Sequence, residues 1–540
     1  MRETRTTITP VPAPRWTGWR RAVTVAGLAI ATVMGASLVT GCRVNEDDVR
    51  RWESTERGPD KLVAVVSHDK YAWPLRVEAA LSLIRMRPRS GRRIGIELLT
   101  ASLADLPVES RKRIVDGMTP ELVQEMQSPP PAKNPDGTVP PDPSIPYKDA
   151  TFAMLSHEPP LVSDDGDKQQ LVAALQVWAQ TDFEARLQNP AQQYGIDQMM
   201  RFLGAPSVRA LPALINESTT QLDRIAGLIA DLGEPETKQK ASEALVTLAK
   251  KIDAPEWINK QTPLVEDADK RAGQKVTPQQ LSEQVKKFQD QELTKVFASM
   301  KRVGGRPVVD YLLAYSVDPK NSSDRRKTAL AALEGRVDKS NPADVDRIFA
   351  IAKDDSTPDD VRDIAFQRLG ELPKEQIVPR LYTLFTGHKW KVRWVAASLV
   401  LKTISTRQVP EFMSHLPTNA TQKMGMGEPL SYGNLIGKME PPPGEPKPRD
   451  LLVSYTSTPA VGAKLSALGY FYQGKKSDIG IVRARADDPS PLPKCDKDDE
   501  CGWQCDVPKP GVADKNDKES KTVTTVGEFV RYCIEPSMDQ

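Results

Sequence analysis

Between Val308 and Ile404 apolar residues recur every three or four positions in short blocks, and charged or turn-forming residues close each block. That spacing predicts amphipathic helices. The blocks come in pairs. Val308–Asp318 is followed by Asp324–Leu333, Val345–Asp355 by Asp360–Gly370, and Ile377–Phe385 by Lys391–Leu401. The second helix of each pair carries an arginine in its first turn and small residues at helical spacing. Those arginines, Arg326, Arg362 and Arg393, lie 36 and 31 residues apart. A repeat of this length predicts a solenoid, because one hairpin cannot bury its apolar face until a neighbour stacks on it.

The pattern of a first helix, Asp at the turn, then Val-Arg-x-x-Ala-Ala-x-x-Leu, resembles HEAT repeats. The resemblance implies an all-α fold, a HEAT-like α-solenoid of helical hairpins. It also implies a ladder in which the turn aspartate and the helix arginine pair between adjacent repeats. The rungs would be Asp318 with Arg325 or Arg326, and Asp355 with Arg362; Arg393 would face His388, which stands where the third aspartate is expected. Asp60–Ile84 reads as a further hairpin with Asp69 and Arg76 as its rung. Leu211–Ile215 with Leu222–Leu232 reads as another, Glu217 replacing the aspartate. The likeness spans residues 60–86 and 208–404.

Elsewhere the pattern is looser. Residues 42–127 predict N-terminal HEAT-like helices, one of them starting at Thr119-Pro120-Glu121. Residues 128–146, with Pro129–Pro131 and Pro140–Pro141, predict an extended linker or surface loop; a PxxP-type docking site is the functional version of the same stretch. Residues 147–407 continue the helical solenoid. Within them Thr277-Pro-Gln-Gln280 is a strong helix start, opening a helix with Leu281, Val285, Phe288 and Val296 along one face. It reads as an ordinary repeat helix, with a partner-binding ridge as the alternative. Residues 408–449, rich in Gly, Met and Pro, predict a long loop, and 450–540 a C-terminal helical region with a Cys-rich tail. Together these make a Pro/Gly-rich, disulfide-containing C-terminal extension.

Residues 1–41 read as an export signal. Arg20 and Arg21 precede an apolar run from Ala22 to Thr40, which ends Leu38-Val39-Thr40-Gly41-Cys42. The ending resembles the bacterial lipobox, with Val39 in the place usually held by Leu. That implies cleavage before Cys42 and acylation of Cys42, which would hold the chain on a membrane of the cell envelope. Arg43 after the cysteine, in place of the Asp associated with inner-membrane retention, points to the outer membrane facing the periplasm.

Composition narrows the function. The chain of 540 residues exceeds one ordinary core and must be a repeat array or several domains. Its 74 basic and 72 acidic residues leave a net charge of +2, so it lacks the basic footprint of a nucleic-acid binder. Of five cysteines, Cys495, Cys501, Cys505 and Cys533 remain beside Cys42; in an oxidising compartment they predict two disulfides of unassigned pairing. Their C-x5-C-x3-C-x27-C spacing lacks the close C-x2-C pairs that structural zinc prefers, so no metal and no cofactor is expected. Gly469–Lys476 approximates a phosphate loop but has Lys476 where Ser or Thr is required. His68, His157, His388 and His415 form no metalloprotease motif, and no nucleophile elbow occurs. No catalytic residues are assigned. The expected function is a non-enzymatic, lipid-anchored scaffold or adaptor that binds other envelope proteins. The alternative is an envelope enzyme or accessory subunit with its site in the C-terminal region near His415.

Overall fold

The computed structural model describes residues 44–538, apart from 90, 133, 135–137, 139, 189–191, 424–428, 495–501 and 509–517. The export signal and Cys42 therefore lie outside the described residues, as do Cys495 and Cys501.

The chain is an α-solenoid of stacked hairpins. The short helix α1 (Glu46–Trp52) opens it, capped by Asn45, which accepts from the Asp48 amide in a full capping box. Then α2 (Gly58–Ser67) and α3 (Trp73–Arg85) form the first predicted hairpin, followed by α4 (Ile94–Asp105) and α5 (Val108–Gln127). Here one expectation is corrected. Thr119-Pro120 starts no new helix, because α5 runs through Pro120 without a break. Thr119 faces the core and its hydroxyl donates to Val115 O at 3.0 Å, while Pro120 is on the solvent side, where water can reach the carbonyl that the proline cannot bond.

The described residues of 128–144 hold no helix, as the proline content predicts, yet both ends of the segment are pinned to the stack. They lead into α6 (Ile145–Ser156), α7 (Asp165–Gln180) and α8 (Phe183–Gln188). Trp178 on α7 is fully buried and donates from Nε1 to Ser144 Oγ at 2.7 Å, and Ser144 Oγ donates in turn to Asp142. Arg186 on α8 donates to Ser128 O at 2.5 Å and Trp178 O at 3.2 Å. On α6 the Lys148 ammonium, fully buried, donates to Asp149 at 2.6 Å and to Tyr194 O at 2.6 Å. Asp149 also faces Arg93 at 3.3 Å and accepts from the Gln193 amide. Burial pushes Lys148 below the ordinary lysine value. Such a network tolerates no missing member, because each unpaired charge would stay buried.

Next come α9 (Ile196–Leu203) and α10 (Leu222–Leu232). The predicted helix Leu211–Ile215 is only a 3-10 turn, Leu211–Leu214. The central stack follows: α11 (Pro235–Asp253), α12 (Pro255–Arg271), α13 (Pro278–Val303), α14 (Arg306–Val317), α15 (Ser323–Ala332), α16 (Pro342–Lys353), α17 (Asp359–Leu369), α18 (Lys374–Tyr382) and α19 (Trp390–Thr403). The predicted pairs appear as α14/α15, α16/α17 and α18/α19.

After α20 (Val409–Ser414) the stretch expected to be a loop is packed. An antiparallel pair, β1 (Thr421–Lys423) and β2 (Pro429–Ser431), leads into α21 (Tyr432–Ile436), which lies against α23 (Val461–Tyr470) beyond α22 (Pro448–Tyr455). Tyr432 is fully buried, and a Cβ at Gly433 would stand 1.9 Å from Ser466 O. One apolar core runs from Val49 to Ala467. A second core holds Leu465, Leu468, Trp503, Phe529 and Ile534. Helix α23 thus serves both, and docks the C-terminal extension on the solenoid. That extension comprises α24 (Ile479–Arg483), the antiparallel strands β3 (Gln504–Pro508) and β4 (Lys518–Thr522), α25 (Val526–Phe529), a π turn (Val530–Ile534) and α26 (Glu535–Met538). Cys505 and Cys533 are disulfide-bonded. No helix among the described residues is long and apolar enough to cross a membrane.

Candidate interaction surface

The hairpin arginines are all buried: Arg76, Arg326, Arg362 and Arg393. Arg76, Arg326 and Arg362 make no ion pair with the carboxylates of the turn aspartates Asp69, Asp318 and Asp355, although Arg362 Nη2 donates to the Asp355 backbone carbonyl at 3.4 Å. Arg76 Nε donates to Val66 O at 2.9 Å, and Arg326 Nε to Ser316 O at 2.7 Å, each ten residues back. Arg362 Nη2 donates to the carbonyls of Asp354 at 3.0 Å and Thr357 at 2.8 Å, while its Nη1 meets Asp359. Arg393 reaches Asn419 O at 3.5 Å and lies over the Trp390 ring. In the first three cases the acceptors sit at the end of the hairpin's first helix, where carbonyls have no intrahelical donor, or, for Thr357, in the turn that follows it. A buried guanidinium takes those nearby acceptors and fastens the two helices of one hairpin together.

The aspartates have other partners. Asp318 accepts from the Lys320 amide at 2.9 Å, shaping its turn, and Asp355 faces His388 Nδ1 at 3.3 Å in the next repeat. Asp69 acts on Arg76 only through its nearby charge. The expected rungs Asp69–Arg76, Asp318–Arg326 and Asp355–Arg362 are therefore replaced, and Glu217 pairs with Lys260 at 2.8 Å.

A ladder between repeats does exist, mostly on residues that face outward, with Asp344 as a buried member. Arg306 on α14 grips the buried Asp344 of α16 at 2.6 Å, Arg347 of α16 returns to Asp310 at 3.1 Å, and Arg380 of α18 meets Asp346 at 2.7 Å. On the other helical layer Arg325 reaches Asp253 at 2.7 Å and Asp290 at 2.6 Å, Lys327 reaches Asp360, and Lys391 reaches Asp359 at 3.0 Å. The signal for these pairs, Arg325–Asp253 apart, was an acid and a base recurring one repeat apart.

One hairpin leaves the stack. Helix α13 has 26 residues where α14 has 12 and α15 has 10, lengths of about 39, 18 and 15 Å. Its C-terminal half is core, with Val296, Phe297 and Met300 buried; its N-terminal half carries α12 alongside as an arm. At the root, Trp257 packs on Phe288 with ring centroids 5.4 Å apart, and Gln289 donates to Ile252 O at 2.6 Å. Arg325 clamps the same point through Asp253, Asp290 and Gln289. Beyond the root the arm is mostly solvent-exposed, and Trp257 is the one buried residue of α12. Leu264, midway along α12, is 56% exposed. The Thr277–Gln280 capping box closes the start of α13 as predicted. The polar helix is thus a repeat helix in one half and a projecting ridge in the other.

At the far end, exposed His415 stacks on Tyr382 with centroids 4.0 Å apart. Burial, reinforced by Glu411, pushes the Tyr382 hydroxyl up to about 12. Three or more metal-ligating side chains are nowhere grouped among the described residues.

No protein-family model matches this sequence, and no curated protein does. Solved structures with a similar course are helical. Kap121p bound to Pho4p has 13% identity over 81% of this chain and 48% of that one, with a TM-score of 0.21. Uso1-2 has 10% identity over 85% and 84%, with a TM-score of 0.25. Kap121p in complex with the SUMO protease Ulp1p, where it is described as a karyopherin, aligns at 13% identity over 82% and 47%, TM-score 0.21. The chain spans about half the length of the Kap121p chains it matches. At these scores the likeness carries no argument about function; the HEAT-like architecture rests on the hairpins themselves.

Proposed function

We propose that this chain is a non-enzymatic scaffold of a bacterial envelope, held on the outer membrane by acylated Cys42 and binding other envelope proteins along its solenoid. The projecting α12–α13 arm carries the reading. A helical hairpin that extends beyond its own stack, fixed at the root by Trp257, Phe288 and Arg325, adds little to the core it leaves. It offers a rigid, mixed apolar and charged ridge of the kind a partner surface can grip. The lipobox-like Leu38–Cys42 and the Cys505–Cys533 bridge suit an oxidising, membrane-adjacent compartment.

The test is crosslinked capture from detergent-solubilised membranes with wild type, Cys42→Ala, and the arm variant Leu264→Ser/Lys286→Glu/Lys287→Glu. The reading expects a defined envelope protein with wild type, less of it with Cys42→Ala, and loss of it with the arm variant. Recovery of the same proteins by wild type and the arm variant would overturn it, as would recovery of none. A fatty-acid label on wild type but not on Cys42→Ala tests the anchor separately.

A further inference from the structure

A cleft of about 500 Å³ lies where α10, α11 and the C-terminal end of α13 meet the turn after α15. Lys238, Arg302 and Arg336 line it, with Asp231, Ala230, Gly227 and Val303. Several basic residues of the neighbouring stack face carboxylates: Arg306, Arg325, Arg347, Arg368 and Arg380. These three do not. Among the described residues, Lys238 makes no ion pair. Arg302 donates from Nη1 to Asp223 O at 3.2 Å, and Arg336 from Nη2 to Arg302 O at 3.1 Å. Each guanidinium is therefore positioned by one carbonyl and has further N–H groups to offer. The single acid of the cleft, Asp231, is already held by Arg201 at 2.7 Å.

Two glycines give the guanidiniums their room. A Cβ at Gly227 would lie 3.1 Å from Arg302 Nη1, and one at Gly304, whose φ is +71°, would lie 3.2 Å from Arg336 Nη1. The carbonyl ends of α10 and α13 supply only partial negative charge, about half an electron each. Three full positive charges therefore share one open cleft whose only carboxylate is already engaged.

We infer that this cleft receives a short acidic segment of a partner protein, its carboxylates accepting from Arg302, Arg336 and Lys238. This rests on the scaffold reading and adds the partner's chemistry to it. The cleft is far larger than one phosphate ion needs and has room for several carboxylate side chains.

The test is fluorescence anisotropy with the detergent-solubilised full chain. The probes are a labelled Asp/Glu hexapeptide, its Asn/Gln isostere, and inorganic phosphate as competitor. Wild type should bind the acidic peptide and not the isostere, more weakly as salt rises. Lys238→Glu and Arg336→Gln should each weaken binding by about tenfold or more. Because Lys238 holds no described partner, Lys238→Glu leaves the packing in place and reads the cleft alone. Unchanged affinity in Lys238→Glu overturns the inference, and so does phosphate competing as tightly as the peptide. Should capture depend on the arm while the peptide ignores the cleft, the cleft assignment fails and the scaffold stands. Peptide binding without any captured partner is the reverse case.

Discussion

Arg326 donates from Nε to the carbonyl of Ser316, ten residues earlier, across the hairpin of α14 and α15. Arg76 does the same to Val66 in the first hairpin. The repeat-marking arginines Arg76, Arg326 and Arg362 are therefore fasteners within the hairpin, and cohesion between repeats falls to other charges.

Replacing Arg326 with Ala removes a buried charged hydrogen bond and leaves the Ser316 carbonyl short of its donor. The expected loss is about 2 kcal/mol of unfolding free energy. Arg326→Lys should recover little of it, since a lysine ammonium lacks the side-on Nε donor. Urea unfolding followed by circular dichroism measures both; wild-type stability in Arg326→Ala would show the bond to be incidental.

Loss of Lys148 should cost more. Lys148→Met strands Asp149 in a fully buried site, where breaking such a pair costs about 3–5 kcal/mol. Arg93 and the Gln193 amide remain, which places the expected value near the lower end. By contrast Lys391→Ala removes a half-exposed pair with Asp359 and should change stability by less than about 1 kcal/mol. The same unfolding assay compares the two variants directly.

Asp167, near the start of α7, has its carboxyl pushed up to about 6, first by burial and then by Asp116, which shares a hydrogen bond with it. Asp164, Lys112 and Thr119 complete its surroundings. A folded value above the unfolded one means that the native state holds the extra proton between about pH 4 and 6. Stability contributed here is present at low pH and is lost as pH rises through that window. Asp167→Asn should thus stabilise the protein at pH 7 relative to wild type, with the advantage shrinking toward pH 4. Melting temperatures of both proteins across that range decide it, and parallel curves would remove Asp167 from the account.

The Cys505–Cys533 bridge closes a stretch of 28 residues around the second core. Cys505→Ser/Cys533→Ser should destabilise the C-terminal extension by about 3 kcal/mol through the freed unfolded chain. The solenoid has its own core and should melt as before. Limited proteolysis that cuts the variant within 484–538 and spares residues 44–460 is the expected pattern.

The capture and labelling experiments on Cys42 stand apart from these, because Cys42 and the segment before it lie outside the described residues.

The sequence alone determined the hairpins of the central stack, since apolar spacing and repeat length are local properties that each helix carries by itself. The Thr277 capping box was legible for the same reason. Only the tertiary structure decided what the charged residues do. A buried arginine has several acceptors within reach of its long side chain, and packing alone selects Ser316 O over Asp318. Tertiary contact also decided Gly433 and Gly437. Glycine reads locally as a loop, whereas Gly433 is there because α21 meets the backbone of α23 too closely for a Cβ. The arm and the basic cleft belong to the same class. The sequence holds the 26 residues of α13 and the charges of Lys238, Arg302 and Arg336, but which half leaves the stack, and which charges meet unpaired, follows from how neighbouring helices end.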